Sequence, residues 1–152
     1  MDINATLIDK GIVLPDAPPP AANYIPYVKI GKLVFVSGQV SQNENGFIKG
    51  VLGENLNVEE GYDAARQCAI SLLAQLKSAV NGDLNKVTKV VKLGGFVNSA
   101  TDFTEQPSVI NGASDLLVEL FGEKGRHART AVGANLPLGV AVEIDGIFEV
   151  EI

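Results

Sequence analysis

The side chains of this chain best suited to chemistry are one arginine, one glutamate, one histidine and one cysteine: Arg129, Glu143, His127 and Cys68. Strand periodicity over Ala128 to Val132 puts His127, Arg129 and Ala131 on one face and Ala128, Thr130 and Val132 on the other. A guanidinium among small and apolar neighbours is costly to bury without an anion. Either Arg129 pairs internally, or it receives a ligand carboxylate or phosphate, which its planar fork binds bidentately. Glu143 lies within the apolar run Val140-Ala141-Val142-Glu143-Ile144, in the strand expected to face Arg129 across a closing hairpin. An Arg129–Glu143 ion pair is therefore the simplest internal arrangement. A Ser-His-Asp triad would have to use His127, the only histidine, and nothing nearby in the sequence identifies its nucleophile. His127 reads as an exposed strand-end residue. Cys68, the only cysteine, falls on or beside a helical apolar stripe and reads as a small core residue. One cysteine excludes an intramolecular disulfide framework and a thiolate zinc site, and one histidine argues against a His-dominated metal site. Glycine-rich phosphate loops, Gly-x-Ser-x-Gly and His-Glu-x-x-His are absent.

The elements that must position these residues follow from local pattern. The first residues read as an edge strand, Ala5 to Ile8, running into Pro15-Asp16-Ala17-Pro18-Pro19-Pro20, an extended proline-rich arm over residues 1–22. Tyr24 to Ile30 and Leu33 to Val40 flank Gly31-Lys32, a hairpin signal. Ser37-Gly38-Gln39 interrupts the second run, and the glycine implies a bulge or a close backbone approach. Residues 43–53 form a polar, glycine-rich loop. Asn57, with Glu60 three residues on, has capping-box spacing. Ala65, Ala69, Leu72, Leu73, Leu76 and Val80 then recur at helical spacing until Asn81-Gly82. Val87 to Val97 is a long strand with Gly94-Gly95 as a bend. A second helix runs from Pro107 or Ser108 to Phe121, with Gly122 just past its end. Strands at Ala128 to Val132 and Val140 to Val150 close the chain. The order βββ-α-β-α-ββ gives a single α+β domain over residues 1–152, with two helices on one face of a mostly antiparallel sheet.

Composition narrows the function classes. The chain has 152 residues, 46% hydrophobic and 20% charged, with a mean hydropathy of +0.19. That is too apolar for disorder, and it favours a protein that hides its second sheet face against copies of itself. No apolar stretch approaches the ~18 residues of a membrane span. Met1-Asp2-Ile3-Asn4 lacks the basic start of a secretory signal, so a cytoplasmic protein is expected. Net charge is −6 and the arginines are only Arg66, Arg126 and Arg129, which argues against a nucleic-acid partner.

Val36-Ser37-Gly38-Gln39, the helix from Asn57, and the ending Arg129-Thr130-Ala131-Val132…Leu136-Pro137-Leu138…Val142-Glu143-Ile144 resemble the Rid family. These are the reactive intermediate deaminases, also called YjgF-like or L-PSP endoribonuclease proteins. The resemblance runs from about Tyr24 to the C-terminus. It implies a chorismate-mutase-like α+β fold, a homotrimer, and ligand clefts between subunits. It also implies that Arg129 clamps a substrate carboxylate and that Glu143 positions water. Tyr24 falls on the cleft tyrosine, Ser37 on the family serine, and Asn111 on an asparagine of the second helix. Gly38 would line the cleft with backbone. The implied reaction is hydrolysis of imines and enamines of small amino acids, such as 2-iminobutanoate, to a 2-keto acid and ammonia, with no metal or organic cofactor. The family's older label implies endoribonuclease action that inhibits translation, and a non-catalytic trimer sensing a small carboxylate is a third reading. The chain departs from the family pattern in three places. Ala131 stands where deaminating members carry a cysteine. Asn23-Tyr24-Ile25-Pro26-Tyr27-Val28 replaces the familiar Gly-Pro-Tyr stretch, and extra residues precede the second helix. These departures place it in a divergent subgroup.

Overall fold

The computed structural model describes residues 2–20 and 22–151. Its elements are α1 (Ile3–Asp9), β1 (Tyr27–Ile30), β2 (Leu33–Val40), β3 (Gln42–Asn43), β4 (Gly46–Phe47), α2 (Val58–Ala79), β5 (Val87–Val97), α3 (Gln106–Phe121), β6 (Ala128–Gly133) and β7 (Val142–Val150). Five strands form one sheet in the order β1-β2-β7-β5-β6, and β3 and β4 form a small separate ribbon. Every neighbouring pair in the large sheet is antiparallel except β5–β6. Helices α2 and α3 cover one face, so the α+β class and the chorismate-mutase-like layering read from the sequence hold.

The long helix begins where its capping box predicts. The Glu60 N–H donates to Asn57 Oδ1 at 2.8 Å, and the Asn57 N–H donates to Glu60 Oε1 at 3.0 Å. It ends at Asn81 and Gly82, both at positive φ (55° and 92°), with the Gly82 N–H returning to Lys77 O at 2.8 Å. The two helices pack closely because α3 carries Gly112 at the crossing. A Cβ there would overlap the carbonyl oxygen of Tyr62 on α2. Beneath them, Leu72, Leu76, Leu93, Leu116, Leu117, Ile144 and Phe148 are fully buried in one cluster. Cys68 is buried in that cluster as expected. Its thiol lies 3.5 Å from Val142 O, and burial, then the Glu143 charge, pushes its pKa well above the usual range.

Two expectations are corrected. Ala5 to Ile8 is not an edge strand but lies inside α1. The Asp2 carboxylate caps this helix by accepting from the Asn4 N–H at 3.0 Å, and Ile3 and Leu7, one turn apart, are both buried. Tertiary contact with α3 overrides the β-prone run Thr-Leu-Ile. Nor do β6 and β7 form a closing hairpin. The β5–α3–β6 unit is a crossover, so β6 lies parallel to β5 at the sheet edge while β7 inserts between β2 and β5.

Candidate functional site

Side-chain alternation along the sheet separates the two charged candidates. Arg129 pairs in register with Leu93, and both point to the helix-covered face; Glu143 pairs with Phe96 and Val40 on the opposite face. Within one chain, Arg129 and Glu143 therefore cannot form the ion pair that sequence alone made the simplest arrangement. Among the described residues, the salt bridges are Lys10–Glu119, Arg66–Glu119 and Arg126–Glu123, and none involves Arg129.

The Glu143 half of the site is built by a bulge. Val36 pairs with Gly146 and Gln39 with Ile144, so Ser37 and Gly38 together oppose the single residue Asp145. The Ser37 hydroxyl donates to Ile25 O at 2.9 Å and its N–H to Pro26 O at 2.9 Å, which ties the bulge to the segment carrying Tyr24. Gly38 is required by close approach, because a Cβ there would overlap Glu143 Oε2. The bulge and the close approach, alternatives in the sequence, are both present. Tyr24, Ser37, Gly38 and Glu143 line one cavity of about 940 Å³, walled otherwise by Phe47, Leu138 and the arm prolines Pro18, Pro19 and Pro20. Burial, then the neighbouring Asp145 charge, raises the Glu143 pKa above the usual carboxylate value. Burial also raises Asp145, although the Gly94 N–H donates to its Oδ1 at 3.1 Å and partly offsets the cost.

The arm is fixed to its own chain. Gln75, fully buried on α2, donates its Nε2 to Pro18 O at 2.7 Å, and Ile12 and Leu14 pack against the core. Nothing local in the sequence marks Gln75, which sits on a mostly apolar buried face of its helix with Ser71 one turn before it.

The Arg129 half lies against α3. Arg129 Nη1 donates to Ser114 Oγ at 3.0 Å and Nη2 to Pro107 O at 3.2 Å. Asn111 is exposed on the same helical stripe, four residues after Pro107 and three before Ser114. Ala131 follows Arg129 on the same face and packs on the core edge. His127 is half-buried rather than an exposed strand end. Its Nε2 lies 2.9 Å from Ser114 Oγ and its Nδ1 bonds Gly125 O. Sequence reasoning missed Ser114, because a partner thirteen residues away on another element leaves no local pattern.

The structure thus shows an α+β domain with two separate groups of candidate residues: a guanidinium with an amide beside the helices, and a carboxylate with a tyrosine and a serine on the far side of the sheet. The chain belongs to the family described as "YjgF/chorismate_mutase-like, putative endoribonuclease", whose model matches residues 4–142. It is 51% identical over 150 residues to Protein TCP17 of Trypanosoma cruzi, covering 97% of this chain and 93% of that one. It is 30% identical over 143 residues to a 2-iminobutanoate/2-iminopropanoate deaminase of Dermatophagoides farinae, covering 92% and 95% respectively. Among solved structures, protein Atu1372 of Agrobacterium tumefaciens superposes with a TM-score of 0.91 at 45% identity, over 98% of this chain and 92% of that one.

Proposed function

We propose that this protein hydrolyses imines and enamines of small amino acids to 2-keto acids and ammonia, in clefts that join the Arg129 half of one subunit to the Glu143 half of the next in a homotrimer. The observation that carries this reading is the placement of a half-buried carboxylate of raised pKa against Gly38, in a cavity shared with Tyr24 and Ser37, while the arginine faces away from it in the same chain. The sheet face bearing Glu143 also exposes Val28, Ile30, Phe35 and Val132. An apolar sheet face of this kind is suited to covering by neighbouring copies.

In such a cleft Arg129 fixes the substrate carboxylate, with Asn111 and the backbone at Ala131 beside it. Glu143 takes a proton from water as the water oxygen bonds to the imine carbon, and that proton passes on to the imine nitrogen. The resulting carbinolamine then passes its hydroxyl proton by way of Glu143 to the nitrogen as the carbonyl forms and the C–N bond breaks, which releases ammonia and returns the carboxylate. Tyr24 supplies a hydroxyl for these transfers and Ser37 holds the wall that carries it. An acid–base group works best with a pKa near the working pH, which is the direction in which Glu143 is displaced. A substrate so activated needs positioning and proton transfer above all.

The endoribonuclease reading in the family's description is less well supported. Two carboxylates on the cavity side of the sheet, the half-buried Glu143 and the exposed Asp145, together with a net charge of −6, repel a polyphosphate.

Incubation with enzymatically generated 2-iminobutanoate, followed as loss of imine against the uncatalysed rate, tests the proposal. Acceleration is expected in the wild type and not in Arg129→Ala. An intact assembly with no acceleration on any small imino acid, or salt-sensitive RNA cleavage instead, overturns it. Gly38→Ala gives a subtler check. The added methyl meets the tip of the Glu143 side chain rather than backbone, so the fold should persist while the carboxylate moves aside. Turnover should fall by about 10²-fold, the scale expected when a reacting group is misplaced by an ångström. Unchanged turnover would remove Glu143 from the mechanism.

A further inference from the structure

The four hydrogen bonds that link Gly125, His127, Ser114, Arg129 and Pro107 admit one consistent arrangement of protons. Gly125 O is only an acceptor, so His127 Nδ1 carries the ring proton. In a neutral ring Nε2 is then a lone pair, and the Ser114 hydroxyl must donate to it. With its proton committed, Ser114 Oγ presents its remaining lone pairs to Arg129 Nη1, while Pro107 O holds Nη2. The surroundings favour the neutral ring: burial, with smaller contributions from the Arg129 and Lys89 charges, lowers the His127 pKa, although the bond to Gly125 O partly offsets the shift. The acids on the adjoining elements are engaged elsewhere, Asp115 with the Tyr62 hydroxyl at 2.8 Å and Glu123 with Arg126 at 3.1 Å.

We infer that Ser114 and His127 are positioning residues for Arg129: a Gly125–His127–Ser114 relay fixes the guanidinium plane so that its remaining N–H groups are preorganised for a ligand carboxylate. Neither residue touches substrate. Their effect is to remove rotamer freedom from a long side chain before binding, which lowers the cost of forming the bidentate contact. The inference deepens the proposed function, since it rests on a carboxylate being the ligand of Arg129.

The test has two arms. The first needs neither ligand nor variant. The lone histidine gives one set of imidazole signals in a long-range ¹H–¹⁵N NMR spectrum, and at pH 7.5 these should report a neutral ring protonated at Nδ1. A ring protonated at Nε2 would overturn the relay whatever the protein's function. The second arm measures binding of 2-oxobutanoate, a stable carboxylate probe, and steady-state kinetics with the imine. Ser114→Ala and His127→Leu should weaken binding and raise KM about tenfold, equivalent to about 1.4 kcal/mol, with kcat nearly unchanged. His127→Gln keeps an acceptor near the Nε2 position and should restore most of the affinity. Wild-type affinity in Ser114→Ala, or equal losses in kcat and KM across all three variants, would reduce the pair to ordinary packing. Failure of the wild type to bind 2-oxobutanoate or turn over imine would count against the proposed function, while the tautomer would still decide the relay.

Discussion

Subunits carrying Arg129→Ala and subunits carrying Glu143→Gln, each inactive alone, should recover about a quarter of wild-type turnover when mixed in equal amounts within one assembly. The expectation follows from the sheet. Arg129 is in register with Leu93 on the helix face and Glu143 with Phe96 on the opposite face, so a single chain cannot bring both to one imine carbon. In the proposed trimer each cleft takes its arginine from one subunit and its glutamate from the next. With random mixing, about one cleft in four receives the intact arginine and the intact glutamate together. Each variant alone lacks one of these in every cleft. Losing the bidentate carboxylate contact or the general base should each cost on the order of 10²-fold or more. Co-expression with two affinity tags, sequential purification and an imine assay reads the outcome. Activity no greater than the sum of the parents would mean that the two half-sites do not meet between chains.

That opposition of faces shows where the sequence was informative and where it was not. Periodicity placed Arg129 and Ala131 on one face of their strand, and glycine chemistry located the bulge at Ser37–Gly38, because both are local consequences of backbone geometry. Strand order is not local. The sequence suggested a closing hairpin because the last two strands are adjacent in the chain, whereas the β5–α3–β6 crossover puts β7 in the middle of the sheet. The same limit applies to α1. Its seven residues carry too little periodicity to outweigh a β-prone Thr-Leu-Ile, and only packing against α3 decides the matter. The side chains that hold the candidate site, Ser114 for Arg129 and Gln75 for the arm, act on partners 15 and 57 residues away. Contacts over such separations leave no spacing to read.

Glu143→Gln should melt at a higher temperature than the wild type at pH 7.5 while losing about 10²-fold or more of its turnover, and the gain in Tm should vanish by pH 4. Burial raises the Glu143 pKa above the 4.5 of a free glutamate, with Asp145 adding repulsion. The folded chain therefore holds this proton more tightly than the unfolded chain. Stability from this group is present below about pH 4.5 and is lost as pH rises through the folded-state pKa. At neutral pH the wild type bears the full cost of a half-buried charge, and an uncharged glutamine does not. Asp145 and His127 are common to both proteins, so the difference between the two melting curves, taken at equal protein concentration, reports the Glu143 charge together with its repulsion from Asp145. Under the proposed mechanism the same displacement should set the acid limb of the wild-type kcat/KM profile above the ordinary glutamate range, since a general base must be ionised to accept the water proton. A glutamine variant that melts lower than the wild type at pH 7.5, or an acid limb at an unperturbed carboxylate pKa, would show that Glu143 is held by structural contacts rather than kept in a state of raised proton affinity for chemistry.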